Sequence, residues 1–264
     1  NDKKIDLTPI FFWLNLSLRL NPGRYFLKAR SFLERNPVII VSSRLIKETV
    51  MTMNPLEWKE IPAAEKQKGC VITLHGRGTS GEDLMPIADE INLPRLRWIF
   101  PDAPFPFPDL LGGMMWFGAA SGNSSGVQTS RKLLFDLLDQ IIKEEHVPPE
   151  NIALLGFSQG AVMALDVGLR YPKKIGALIA LSGFLAAPDK LHQEKSRASK
   201  SVPILLVHGT GDGVVSVKGS REARSLLLEE GYDVTLKEYA MAHQIIPEEI
   251  TLIREHLKSH LGLP

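Results

Sequence analysis

The sequence predicts an α/β fold in which a mostly parallel central sheet carries helices on both faces, and three observations predict it. From residue 54 onward, short apolar runs alternate with longer stretches of helical periodicity, the pattern that successive strand–helix–strand units leave in a chain. The run Cys70-Val71-Ile72-Thr73-Leu74 is apolar almost throughout, as in a strand buried from both sides. A chain of 264 residues, 44% apolar and 23% charged, is long enough for one large core and has the composition of a folded globular protein.

Taken in order, the chain begins with an N-terminal extension, residues 1–53. Its first fifty residues hold nine Lys/Arg against four Asp/Glu. The apolar stretch 9–20 is interrupted by Asn15, Ser17 and Arg19 and is shorter than the roughly 20 residues that span a bilayer. No small-residue cleavage pattern follows it, so it does not read as a signal peptide. Residues 24–35 have a helix-compatible pattern, and Val38-Ile39-Ile40-Val41 reads as a short strand. Two readings stand for this extension: a helical flap over the apolar surface or the site, and upstream sequence incidental to the rest.

Residues 54–264 read as the α/β domain. Its expected strands are 57–61, 70–74, 97–100, 152–155, 177–181, 204–207 and 234–238. The expected crossover helices are 82–91, 128–145, 159–170, 217–230 and 247–261, each marked by apolar positions at helical spacing. Irregular stretches remain at 103–126, 184–200 and 209–214. There are no internal repeats.

Composition narrows the function. A formal net charge of +1 supplies no global field to draw the chain to nucleic acid or an anionic membrane. The single cysteine, Cys70, forms no internal disulfide, and its place in an apolar run favours a buried core thiol. No Cys/His cluster has ligand spacing, so no metal site is expected. A cytoplasmic location is the expectation.

The chemistry is concentrated in Gly156-Phe157-Ser158-Gln159-Gly160. This G-x-S-x-G motif follows an expected strand and opens an expected helix. So sharp a turn strains the central residue and requires small neighbours two positions away on each side. It also puts Ser158 at a helix N-terminus, where free amides favour developing negative charge. A nucleophilic serine needs a base and a group to orient that base. Asp212 follows an expected strand through His208-Gly209-Thr210-Gly211, and His243 follows the last expected strand. Their chain order, nucleophile then acid then histidine, is that of the strand-end triads built on this kind of elbow.

Asp102 and Asp109 precede the nucleophile, Asp166 is on a helix, Asp189 is in a charged loop and Asp233 opens a strand, which leaves Asp212 the best-placed acid. His75 and His208 also end strands and read as structural. For the oxyanion, the Gln159 amide is the first expected donor. The turn Leu74-His75-Gly76-Arg77-Gly78 offers the Arg77 amide as the second.

Together with Phe100-Pro101-Asp102-Ala103-Pro104, Trp116-Phe117 and Met241-Ala242-His243, these motifs make residues 54–264 resemble the phospholipase/carboxylesterase family. That family includes bacterial carboxylesterases and acyl-protein thioesterases. The resemblance implies an α/β-hydrolase fold and cofactor-free hydrolysis of carboxylic esters, some members taking thioesters. It implies a Ser158, Asp212, His243 triad with the Arg77 and Gln159 amides as oxyanion donors. The sequence departs from it at Arg77, where members commonly carry leucine or another apolar residue, and at Gly213, where proline or similar is common.

The expected reaction is two-step acyl transfer through Ser158 on short- to medium-chain acyl esters. The apolar stretch 105–117 is the candidate acyl pocket, with Met115, Trp116 and Phe117 expected to meet substrate; ordinary packing against the sheet edge is the competing reading. A lysophospholipase or acyl-protein thioesterase, meeting lipid peripherally through the N-terminal stretch, is the second enzyme reading. A non-catalytic binding module is the third. The expected partner is a small-molecule ester, and a homodimer is one option for an oligomeric state the sequence does not fix.

Overall fold

The computed structural model of the chain describes residues 55–118 and 124–264; the expectations for residues 1–53 lie outside the described residues. In chain order the strands are β1 (Trp58–Ile61), β2 (Gly69–Leu74), β3 (Leu96–Pro101), β4 (Phe105–Pro106), β5 (Met114–Met115), β6 (Ile152–Phe157), β7 (Ala177–Leu181), β8 (Ile204–Gly209) and β9 (Val234–Tyr239). The helices are α1 (Pro86–Ile91), α2 (Ser124–Glu145), α3 (Gln159–Arg170), α4 (Leu191–Glu194), α5 (Val217–Glu229) and α6 (Pro247–Leu261). One seven-stranded sheet runs in the order β1-β3-β2-β6-β7-β8-β9. Only β1 is antiparallel to its neighbour. β4 and β5 pair as a separate antiparallel hairpin.

The period-two geometry of the strands sorts their apolar residues onto two cores. On one face Cys70, Ile72, Leu154, Leu178, Ala180 and Leu206 pack with residues of α2, α3 and α5. On the other, Val71, Leu155, Ile179, Leu205 and Val207 pack with α1 and α6. A fully buried Leu or Ile contributes about 1.5–3 kcal/mol relative to exposure, so these paired faces hold the helices against the sheet. Burial from both sides explains why β2, β6, β7 and β8 read as continuous apolar runs. It also pushes the Cys70 thiol up to about 12, which leaves it un-ionised and inert at neutral pH.

Three expectations differ from the structure. The stretch 184–200, expected to be irregular, holds α4 between two 3-10 turns. The single helix expected over 82–91 is a 3-10 turn, Gly81–Leu84, followed by α1. Pro86 is the cause: it has no N–H to continue a preceding helix and suits the first helical position. The irregular stretch 103–126 contains the β4–β5 hairpin and the start of α2. Among the described residues no helix is long and apolar enough to cross a membrane.

Candidate active site

The turn from β6 into α3 is as sharp as the motif requires. Ser158 has φ 54° and ψ −117°, a backbone region that costs a non-glycine residue of order 1–3 kcal/mol. The surroundings hold it there. The Ser158 amide donates to the Leu181 carbonyl at 2.9 Å, and the Ser158 carbonyl accepts from Ala161 and Val162. A Cβ on Gly156 would lie 2.2 Å from the Gly160 carbonyl oxygen, and one on Gly160 would lie 1.9 Å from that of Leu74. Both glycines are therefore required by strand and helix crossing in contact.

His243 follows β9 and Asp212 follows β8. His243 Nδ1 and Asp212 Oδ2 are 2.7 Å apart. The Asp212 side chain has no solvent exposure, and its Oδ1 accepts from the Val214 and Val215 amides at 2.9 and 2.8 Å. Burial pushes the Asp212 carboxyl up. The His243 hydrogen bond and the Val215 and Val214 amides outweigh it, and the net direction is down. An ionised carboxylate only accepts, so Nδ1 of His243 carries the proton and Nε2 is left with a free lone pair.

Ser158 and His243 line the same cavity, and both are partly exposed. The Ser158 hydroxyl has no hydrogen-bond partner among the described residues; in unliganded sites the nucleophile–base contact commonly tightens only once substrate is bound.

Arg77 and Gln159 also line this cavity, and among the described residues neither backbone amide has a protein acceptor. Gly76 brings Arg77 close: a Cβ on Gly76 would stand 3.6 Å from the Ser158 Cβ. His75 fixes this turn from beneath. Its Nδ1–H donates to the Gly76 carbonyl at 2.7 Å, and its Nε2 accepts from the Ala103 amide at 3.0 Å. Burial lowers the His75 imidazole below its ordinary value, as this neutral tautomer requires. His208 is likewise buried, within hydrogen-bond distance of Ser220 Oγ and the Val215 carbonyl. Asp166 is held by Arg131 and Arg170.

The cavity has a volume of about 1100 Å³, just above the ~300–1,000 Å³ usual for small-molecule sites. Of the three residues expected to meet substrate, Phe117 lines it, whereas Met115 and Trp116 do not. Trp116 is wholly buried. Its indole N–H donates to the His75 carbonyl at 2.9 Å, and its amide donates to Gln159 Oε1 at 2.7 Å, so it braces the site from the core. Met115 is tied into the hairpin opposite Phe105. Leu110 and Leu111 of the same stretch are exposed at its tip. Apolar wall residues that sequence reasoning missed are Leu84, Val127, Phe184, Val214 and Ile245.

The phospholipase/carboxylesterase family model matches residues 59–261. The chain belongs to the phospholipase/carboxylesterase family. Among relatives in this family, the chain is 32% identical to a probable carboxylesterase of Oryza sativa subsp. japonica, covering 75% of this chain and 80% of the relative. It is 31% identical to acyl-protein thioesterase 1 of Neurospora crassa, covering 76% and 90%. The solved structure of esterase PE8 aligns with TM-score 0.72 at 30% identity, over 78% of this chain and 99% of that one.

One further carboxyl of this family member lies just beyond His243. Glu249 is fully buried. Its Oε2 accepts from the Ile246 amide at 2.9 Å, tying the start of α6, while Oε1 has no partner among the described residues. Burial, only partly offset by that amide, pushes the Glu249 carboxyl up to about 7. The folded state therefore holds a proton that the unfolded chain releases near 4.5, and stability declines as pH rises between those values. Glu249→Gln is expected to raise Tm by several degrees at pH 8 and by much less at pH 5, read by thermal unfolding at both. A difference that does not change with pH overturns this.

Proposed function

We propose that this protein is a serine carboxylic-ester hydrolase, with residues 54–264 as its catalytic unit. The observation that carries the reading is the Asp212–His243 hydrogen bond at the cavity that also holds the strained Ser158. His243 Nε2 takes the Ser158 proton as Oγ bonds to the substrate carbonyl carbon. The carbonyl oxygen becomes an oxyanion received by the Arg77 and Gln159 amides. Collapse breaks the ester bond, and the leaving alcohol takes the proton from His243. Water then repeats the sequence on the acyl-enzyme, with His243 again removing the proton, and releases the acid and free Ser158.

The cavity's apolar wall, which includes Phe107, Phe117, Phe157, Phe184 and Ile245, suits an acyl chain of short to medium length. Thioesters are the second reading, favoured by relatives named acyl-protein thioesterase 1. A fluorophosphonate probe is expected to label Ser158. A p-nitrophenyl ester series from acetate to palmitate, matched with thioesters, is expected to give the highest kcat/KM at short to medium length. Neither labelling nor turnover of any ester or thioester overturns the reading.

A further inference from the structure

The charged residues in the cavity wall are unevenly committed. Arg131, Glu194, Asp83, Arg77 and Lys190 all line it. Arg131 donates to Asp166 at 2.6 and 3.0 Å, and Glu194 accepts from Arg170 at 2.7 Å. Asp83 accepts from the Ser80 amide and hydroxyl at 2.7 and 2.9 Å. Arg77 and Lys190 have neither an ion pair nor a side-chain hydrogen bond among the described residues. Lys190 still feels the Glu194 carboxylate, so Arg77 is the wall cation whose charge is least committed among the described residues.

Arg77 is held by a contact that leaves its charge available. Its guanidinium carbon lies 4.7 Å from the centre of the Phe107 ring. Stacking on an aromatic face restrains the group without using its N–H donors. The ring is itself a fixed platform. Phe107 packs where a Gly78 side chain would stand, 3.0 Å from the position of a Cβ, and Gly78 has φ +81°. The Phe107 amide donates to Gly113 at 2.7 Å, and the Gly78 amide donates to Met114 at 2.8 Å. Meanwhile the Arg77 backbone follows Gly76, which abuts Ser158. One residue therefore sets an amide beside the nucleophile and a planar cation on the wall of the same cavity.

We propose that the Arg77 side chain determines specificity for substrates bearing an anionic group, a carboxylate or a phosphate, on the acyl or the leaving side of the scissile bond. The proposal rests on the hydrolase reading above. A guanidinium pairs with either anion in a two-pronged geometry that an ammonium does not reproduce, and Lys190 adds attraction of the same sign.

Two substrate pairs test it on the full chain. Mono-p-nitrophenyl suberate against its terminal amide places the carboxylate on the acyl side. Butyrate esters of 4-hydroxybenzoate and 4-hydroxybenzamide place it on the leaving side. The anionic member of one pair is expected to be preferred, and Arg77→Gln is expected to cut that preference about tenfold, chiefly through KM, with Arg77→Lys retaining part of it. In the wild-type enzyme added salt is expected to weaken the same preference, a readout that needs no variant to fold. The responding pair identifies the side that carries the anion. A preference unchanged by Arg77→Gln in both pairs, or insensitive to salt in the wild type, overturns the proposal while labelling and ester turnover persist. Loss of labelling and all turnover in the wild type instead removes the hydrolase reading itself.

Discussion

Replacing Ser158 with alanine is expected to lower kcat/KM for a p-nitrophenyl ester by about 10⁶-fold and to abolish fluorophosphonate labelling. The variant loses the oxygen proposed to form the acyl bond, while the Asp212–His243 pair and the free amides remain. The fold is expected to survive, because the turn is set by Gly156, Gly160 and the backbone bonds of residue 158, none of which uses the hydroxyl. Unchanged thermal unfolding together with lost turnover is the expected pair of results. Substantial residual turnover at Ser158→Ala excludes residue 158 as the nucleophile.

Asp212→Asn is expected to cost about 10⁴-fold in kcat. An asparagine oxygen still satisfies the Val214 and Val215 amides. Its NH₂ then faces His243 Nδ1 and obliges that nitrogen to accept, which moves the proton to Nε2 and leaves no base for Ser158. Stability follows with a definite sign. The Asp212 carboxyl is held below its ordinary range, so its contribution is complete above the unfolded value and disappears as pH falls through the folded one. The stability gap between wild type and Asp212→Asn is therefore expected to be widest near neutral pH and to narrow on acidification. Chemical denaturation at several pH values reads this directly, and a gap that widens in acid contradicts it.

The sheet was legible because burial on both faces makes β2, β6, β7 and β8 continuous apolar runs, a signal that survives without any knowledge of neighbours. The elbow was legible because two glycines at fixed offsets from a serine answer a local steric demand. The hairpin of β4 and β5 was not, since strands of two residues, the first containing Pro106 and the second following Gly112-Gly113, leave no periodicity. Trp116 illustrates a different limit. Composition marks it as an apolar aromatic beside the site, but its burial depends on partners at His75 and Gln159, far off in the chain. The cavity wall was least readable of all. Leu84, Val127, Phe184, Val214 and Ile245 come from five separate segments, and only the crossing of strands and helices gathers them.

The contact of Gly160 with the backbone of β2 couples two halves of the proposed chemistry into one block. Attacking alcohol and amide donors ride on the same rigid seam, so neither can be retuned without disturbing the other. Residues such as Phe184 and Val214, exposed on separate loops, carry no such obligation. Divergence among descendants of this scaffold is accordingly free to revise what is accepted while the manner of cleavage stays put.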